Sequence, residues 1–236
     1  MAMTLFVIIG CGTACGNGAF DASSRYMVAS AFGMGILVLA YATGHHSGGQ
    51  INCAVTLSLV LGGQVPWFQG LANFIAQMLG SVLGAIILTW IFPCEMDMTN
   101  SLGTNVVNPA FGYGAAFSGE VAMTFLLCYV VWETAVTARC GQAACIPIGF
   151  AVFLAHVVLL PIDGCSINPT RSFGPAVISS MRGCPKYKPR HACNSCFDLS
   201  HLHAAVIFGS CSLDHSSAPP WQLPCRFACA RELTSI

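Results

Sequence analysis

The sequence predicts an all-helical integral membrane protein made of two related halves. Of its 236 residues, 55% are hydrophobic and 8% are charged, whereas about a quarter of the residues of a soluble domain are charged. A mean hydropathy of +0.70 also requires several helices that face lipid. The third observation is a repeat, in which each half combines long apolar stretches with one that is too short to cross a bilayer.

Five apolar stretches are predicted to span the membrane. The third, with about 26 residues, is long enough for a ~30 Å hydrocarbon core at ~1.5 Å per residue. The first lacks the basic leading segment and the cleavage pattern of a signal peptide, and it matches a stretch in the second half, so we interpret it as a clipped first span. The predicted spans are residues 2–15, 26–43, 67–92, 118–138 and 145–161.

Two shorter apolar stretches, residues 53–61 and 170–181, are predicted as half-helices, because neither can cross the membrane. Each follows a Gly-rich or polar loop that ends in an Ile-Asn pair, at Asn52 in the first half and at Asn168 in the second. Interrupted segments at corresponding positions of two halves indicate a binding or conduction site at the membrane midplane.

The two asparagines suit the starts of helices that enter the membrane from opposite sides. Asn is a favoured N-cap residue, and Pro169 fits the first helical turn. Two facing helix N-termini create a positive zone that repels cations and protons, while each amide can offer an N–H donor to a passing water. The alternative is a pair of capped re-entrant helices without conduction. Irregular backbone at membrane depth disfavours it, because such backbone normally lines a cavity.

With these residues the chain resembles the aquaporin (major intrinsic protein) family. The family's paired Asn-Pro-Ala motif is similar to Asn52-Cys53-Ala54 and Asn168-Pro169-Thr170, and the resemblance covers about residues 2 to 182. It implies an aquaporin-like inverted repeat, with two re-entrant half-helices that meet at the midplane. It also implies four-fold assembly, in which each protomer has its own pore.

The resemblance further implies a four-residue selectivity filter outside the midplane. The family's positions fall on Phe32, His156, Cys165 and Arg171, a set similar to that of the orthodox, water-selective members. Glycerol-conducting members have a smaller residue in place of the histidine. Cys165 is expected to face the pore and to be reachable by mercurials. Glu120 resembles the family's buried glutamate, which binds backbone groups behind a half-helix.

Two substitutions in the paired motif depart from the family pattern. Cys53 stands in place of Pro and Thr170 in place of Ala, which predicts a narrower or wetter midplane and leaves open a channel for other small neutral solutes. A literal Asn-Pro-Ala run at residues 108–110 is interpreted as an ordinary turn, because three glycines are expected to interrupt any helix after it.

The C-terminal region, residues 183–236, is an atypical Cys-rich tail. The repeat predicts a sixth spanning helix there, but the longest apolar run is too short, so this span is interpreted as missing or degraded. An isolated Cys-x-x-Cys at residues 193–196 is weak evidence for zinc. No metal site and no cofactor are predicted.

The predicted function is passive, single-file water permeation with proton exclusion and without catalysis. The alternative is a non-conducting, truncated subunit that assembles with intact family members. Predicted partners are water, the lipid bilayer, and either identical copies in a homotetramer or related channels. A net charge of zero gives no argument for a nucleic-acid partner.

The plasma membrane is the expected location, with an intracellular membrane as the alternative. The loop of residues 92–117 contains acidic but no basic residues, so it is predicted to face outside.

Overall fold

The computed structural model describes residues 1–19, 21–137 and 141–184, and this part of the chain is helical without strands. The all-helical fold class predicted from the sequence is thereby confirmed. A π-helical turn, Trp132–Val136, continues the fifth helix, and short 3-10 turns occupy Cys94–Met96 and Gly141–Ala144. The α-helices are α1 (Ala2–Asn17), α2 (Ala22–Ser47), α3 (Cys53–Leu61), α4 (Trp67–Ile91), α5 (Gly112–Val131), α6 (Cys145–Leu159) and α7 (Pro169–Arg182).

Three helices are long and apolar enough to cross a membrane: α2, α4, and α5 with its π-helical continuation. The other two predicted spans are apolar but shorter, since α1 has 16 residues and α6 has 15. At ~1.5 Å per residue, each covers less than the ~30 Å of a hydrocarbon core. Helix α6 ends two residues before Pro161, which has no backbone N–H to donate to a further helical turn.

Helix α2 begins at Ala22, four residues before the predicted start, because Asp21 caps it. The Asp21 carboxylate accepts the backbone N–H of Ser24 at 2.7 Å, and the Ser24 hydroxyl accepts the N–H of Asp21 at 3.2 Å. This reciprocal capping satisfies two donors that the first turn of a helix leaves free. The Asp-x-x-Ser signal was in the sequence, and the hydrophobicity pattern alone missed it.

The run Asn108-Pro109-Ala110 forms a turn, as predicted, but the reason given for it was wrong. The Asn108 side chain accepts the N–H of Ala110 at 3.0 Å, and α5 then starts at Gly112 and continues through Gly114 and Gly119. A Cβ atom on Gly119 would lie 2.6 Å from Leu159 of α6. The glycine therefore allows a close helix contact and does not end the helix.

Helices α2 and α6 cross closely at a pair of glycines, Gly33 and Gly149. A Cβ atom on Gly149 would lie 2.8 Å from the carbonyl oxygen of Gly33, and one on Gly33 would lie 2.7 Å from Cβ of Phe153. Small residues at such crossings let membrane helices pack backbone to backbone. This contact matters for the site, because α2 and α6 carry Phe32 and His156.

The internal repeat explains an open surface that we call the α3–α5 groove. Helix α4 packs against α1 and α7, so a matching helix of the second half would pack against their repeat mates, α5 and α3. In the described part of the chain that position is a groove of about 830 Å³, with apolar walls that include Leu57, Leu71, Phe117 and Val121.

The predicted tail falls almost wholly outside the described residues. Only Gly183 and Cys184 belong to the structure, and Cys184 forms a disulfide with Cys94 at the end of α4. The expectations about the sixth span and about the Cys-x-x-Cys at residues 193–196 lie outside the described residues and stay predictions.

We predict that Gly149→Val destabilises the protein, because the added methyl groups must displace the backbone of α2. Overpacking of this kind costs about 1–3 kcal/mol, which we expect to lower the melting temperature of the detergent-solubilised protein, measured by size-exclusion chromatography after heating. Gly114→Val on α5 is the matched control, since a Cβ atom there meets nothing within 4 Å. Equal melting temperatures for the two variants would contradict the glycine contact.

Candidate functional site

The two half-helices begin at asparagines whose side chains cap them. The side-chain oxygen of Asn52, Oδ1, accepts the backbone N–H groups of Ala54 at 2.8 Å and Val55 at 3.5 Å. The side-chain oxygen of Asn168, Oδ1, accepts the backbone N–H of Arg171 at 3.3 Å. Because the amide oxygens face their own helices, the amide nitrogens are directed outward.

Each amide nitrogen binds the backbone of the other half. Asn52 Nδ2 donates to the carbonyl of Ile167, and Asn168 Nδ2 donates to the carbonyl of Ile51, both at 2.8 Å. An Nδ2 group carries two hydrogens, so one hydrogen of each asparagine remains for another acceptor. The reciprocal bonds place both asparagines at one level of the molecule.

The isoleucines that precede the asparagines adopt left-handed backbone angles, with φ of 48° at Ile51 and 42° at Ile167. This region is costly for a β-branched residue and persists only where surrounding contacts impose it. Here it turns each carbonyl towards the opposite asparagine. The Glu120 carboxylate of α5 holds the second loop, since its two oxygens accept the N–H groups of Ser166 and Ile167, both at 2.6 Å.

Both asparagines line a cavity of about 750 Å³. Its walls come from α2, α3, α5 and α6, and they reach from the C-terminal residues of α2, such as His45, to Phe32, His156 and Arg171. Most of the wall is apolar, and the amide nitrogens of the two asparagines and Arg171 belong to its polar part. A cavity lined in this way can hold water.

Three of the predicted filter residues come together. The Phe32 and His156 rings stack with their centroids 4.3 Å apart, and the Arg171 guanidinium carbon lies 4.7 Å from the Phe32 centroid. His156 Nδ1 bonds to the carbonyl of Val152 at 2.8 Å, while His156 Nε2 and Arg171 Nε have no hydrogen-bond partner among the described residues. Two buried polar atoms without partners indicate a place where water can bind.

Arg171 is held by a loop that the sequence analysis did not assign to the site. Its Nη1 donates to the carbonyl of Gly103 at 3.0 Å and to Asn105 Oδ1 at 2.6 Å. Both acceptors are neutral, so neither cancels the positive charge. Asp97 shapes the same loop, because its carboxylate accepts the N–H groups of Thr99 and Leu102 at 3.0 and 2.9 Å. The turn-forming residues around Gly103 were the only signal in the sequence.

Cys165 is wholly buried and is not among the residues that line the cavity. Its backbone is left-handed, with φ of 54°, and its N–H donates to Asp163 Oδ1 at 2.9 Å. The expectation that its thiol faces the pore and can be reached by mercurials stays a prediction.

The remaining motif residues also lie away from the cavity. Cys53, Ala54 and Pro169 line the α3–α5 groove, and Thr170 is fully buried and lines neither space. The Thr170 hydroxyl donates to Asn168 Oδ1 at 2.6 Å, and the expectation that Thr170 narrows or wets the midplane stays a prediction.

We predict that Glu120→Gln destabilises the protein. The glutamine NH2 group would replace one of the two carboxylate oxygens, so a hydrogen-bond donor would face a backbone N–H, which is also a donor. A buried hydrogen bond lost in this way costs about 1–3 kcal/mol, and the melting temperature in detergent should fall accordingly. Glu95→Gln removes the charge of an exposed glutamate and serves as the control. A Glu120→Gln variant as stable as the Glu95→Gln variant would show that the carboxylate does not support the loop.

Comparisons with known proteins agree with this geometry. The family model described as Major intrinsic protein matches residues 1–193. Aquaporin PIP2-7 from Musa acuminata is 37% identical over 190 residues, which cover 75% of this chain and 67% of that protein. Aquaporin-5 from Rattus norvegicus is 33% identical over 193 residues, covering 81% and 70%, and Aquaporin-1 from Pongo abelii is 37% identical over 187 residues, covering 76% and 69%.

A solved structure adds evidence on the fold alone. The aquaglyceroporin from Plasmodium falciparum superposes with a TM-score of 0.71 over 88% of this chain and 86% of that one, at 17% identity. Sequence and structure thus agree, and the chain belongs to the major intrinsic protein family, a family of transmembrane channels for water or small solutes and not of enzymes.

Proposed function

We propose that this chain forms a water-selective pore for passive, bidirectional, single-file permeation. One observation carries the proposal: both asparagines use one amide hydrogen for the opposite half and keep the other at the wall of the same cavity. A water passing the midplane can accept from the two amides in turn. The similarity to proteins named as aquaporins supports the same function.

Selectivity against larger solutes follows from the packing of Phe32, His156 and Arg171. None of the three exposes more than 2% of its surface, so the opening at this level admits only a very small molecule. Water can satisfy His156 Nε2 and Arg171 Nε, whereas the Phe32 ring gives the hydroxyl groups of a larger solute no partner. Desolvation without compensation would then exclude such a solute.

Proton exclusion rests on two sources of positive potential. The N-termini of α3 and α7 both start at the asparagines, and a helix N-terminus carries roughly half a positive charge. Arg171 adds a full charge whose contacts are to neutral acceptors. A hydrated proton would have to pass both zones, which the arrangement of dipoles and charge opposes.

We further propose a homotetramer in the plasma membrane, with the loop of residues 92–111 outside. The disulfide between Cys94 and Cys184 supports this orientation, because disulfides form and persist on the oxidising side of a membrane. The outward face of α6 also carries large apolar side chains such as Phe150 and Leu154, which are 57% and 51% exposed, as expected of residues that face lipid or a neighbouring protomer.

A second candidate is a non-conducting subunit that assembles with intact family members. The α3–α5 groove favours it, because the groove opens beside Asn168 and Ile167, which belong to its lining. A groove left open to lipid would leave polar backbone near the pore without protein cover, and such exposure at membrane depth is unfavourable.

The first experiment measures shrinkage of proteoliposomes that contain the purified full chain, by stopped-flow light scattering after an osmotic step. The water pore predicts shrinkage well above that of empty liposomes, with a low activation energy and without a change in internal pH under a proton gradient. Shrinkage equal to that of empty liposomes, for protein shown to be folded and inserted, would contradict the pore and favour the second candidate.

We predict that His156→Gly lets glycerol through while water permeability is kept. Removal of the imidazole enlarges the opening at the filter and leaves Arg171 in place. Glycerol uptake by proteoliposomes is the measurement, and the expected rise over wild type is about tenfold, since a barrier change of about 1.4 kcal/mol corresponds to that factor.

The control for this change is His46→Ala, which alters an exposed histidine of α2 that does not line the cavity. It should leave both permeabilities unchanged. Glycerol exclusion by His156→Gly would assign the selectivity to another level of the pore, and glycerol uptake by the wild type would favour a channel for broader small neutral solutes.

A further inference from the structure

The two departures from the paired motif lie at the starts of the two half-helices, where Cys53 is the first residue of α3 and Thr170 is the second residue of α7. An Ala, the residue of the family motif at position 170, has no polar side-chain atom. The threonine therefore adds a hydroxyl group to the first turn of α7, and this residue is fully buried.

The Thr170 hydroxyl also takes part in capping its own helix. Asn52 accepts backbone N–H groups from the residues two and three positions later, Ala54 and Val55. Asn168 accepts a backbone N–H only from the third position, Arg171, and its Oδ1 instead lies 2.6 Å from the Thr170 hydroxyl. A side-chain donor thus stands where the first half uses a backbone donor.

A glutamine of α4 joins this hydroxyl to the first half-helix. The single hydrogen of the Thr170 hydroxyl is shared between Asn168 Oδ1 and Gln77 Oε1, which lies 3.2 Å away, and Gln77 Nε2 donates to Thr56 Oγ1 at 3.1 Å. The single hydrogen of the Thr56 hydroxyl is likewise shared between Gln50 Oε1 at 2.7 Å and the backbone carbonyl of Asn52 at 3.0 Å. All three central side chains are buried, with Thr170 at 0%, Thr56 at 3% and Gln77 at 7% exposure.

We propose that Thr170, bridged by Gln77 to Thr56, is a positioning residue for the pore asparagines. The hydroxyl fixes the orientation of the Asn168 amide, and the bridge through Gln77 sets the distance between the two helix starts. Because the bridge lies behind the asparagines and outside the cavity, it acts on water only through them. The effect of the bridge on water permeability rests on the proposed water pore. The bridge itself can be tested separately, by its contribution to the stability of the protein.

Two substitutions at Thr170 separate the hydroxyl from the shape of the side chain. Thr170→Val keeps the shape and removes the hydroxyl, and Thr170→Ser keeps the hydroxyl and removes a methyl group. We expect the water permeability per channel to fall about tenfold in the valine variant, the factor that follows from one lost buried hydrogen bond. The serine variant should retain wild-type permeability. Wild-type permeability in the valine variant would overturn the positioning role.

A second variant tests the bridge from the other side. Gln77→Leu should lower permeability to a similar extent, and the double variant with Thr170→Val should be little worse than either single one, because both remove the same contact. Thr89→Ala on the same helix is the control, since its hydroxyl bonds only to the carbonyl of Ile86 at 2.7 Å. Additive losses in the double variant would show that the two residues act independently.

Melting temperatures of the same set, measured in detergent, keep the bridge testable if the chain conducts no water. Non-additive losses of stability between Thr170→Val and Gln77→Leu support the bridge whether or not the wild type is a pore. Additive losses contradict it in either case. Lack of conduction by the wild type with non-additive stability would overturn the proposed function and leave the bridge in place as a structural link.

Discussion

Every polar backbone group at membrane depth needs a partner within the protein, and this constraint governs the centre of the molecule. A full-length helix meets it by itself, whereas two half-helices leave free N–H groups at their starts and irregular loops before them. The asparagine side chains cap the starts, and the reciprocal bonds to Ile51 and Ile167 satisfy the loop carbonyls. Glu120 completes the second loop from behind.

The same arrangement shows why part of the site could be predicted from the sequence. The half-helix starts are local signals, since a turn-rich loop, an asparagine and a short apolar run stand next to each other in the chain. The assignment of Phe32, His156 and Arg171 to one filter came from the family resemblance and not from a local pattern. Other features depend on contacts between distant segments, since Asn105 reaches Arg171 across 66 positions. No local pattern in the sequence carries that information.

The fold shows a similar division between local and tertiary control. Hydrophobicity predicted the membrane helices, but their ends followed side-chain capping at Asp21 and the turn at Asn108. Glycine was interpreted as a helix breaker in α5, because that is its effect in an isolated helix. In the packed protein Gly119 is where α6 approaches, so the missing side chain contributes to helix contact and its low helix propensity is overridden.

The reciprocal asparagine bonds also have a consequence for substitutions. Each half of the chain supplies the donor that the other half's loop requires, so neither loop is complete when only its own half is considered. A substitution at Asn52 leaves the Ile167 carbonyl, 115 positions away, without its donor, and the cost appears in the half that did not change. A matching change at Asn168 cannot restore that donor and would also remove the one that the Ile51 carbonyl uses, so a substitution at either asparagine is expected to cost stability whatever stands at the other.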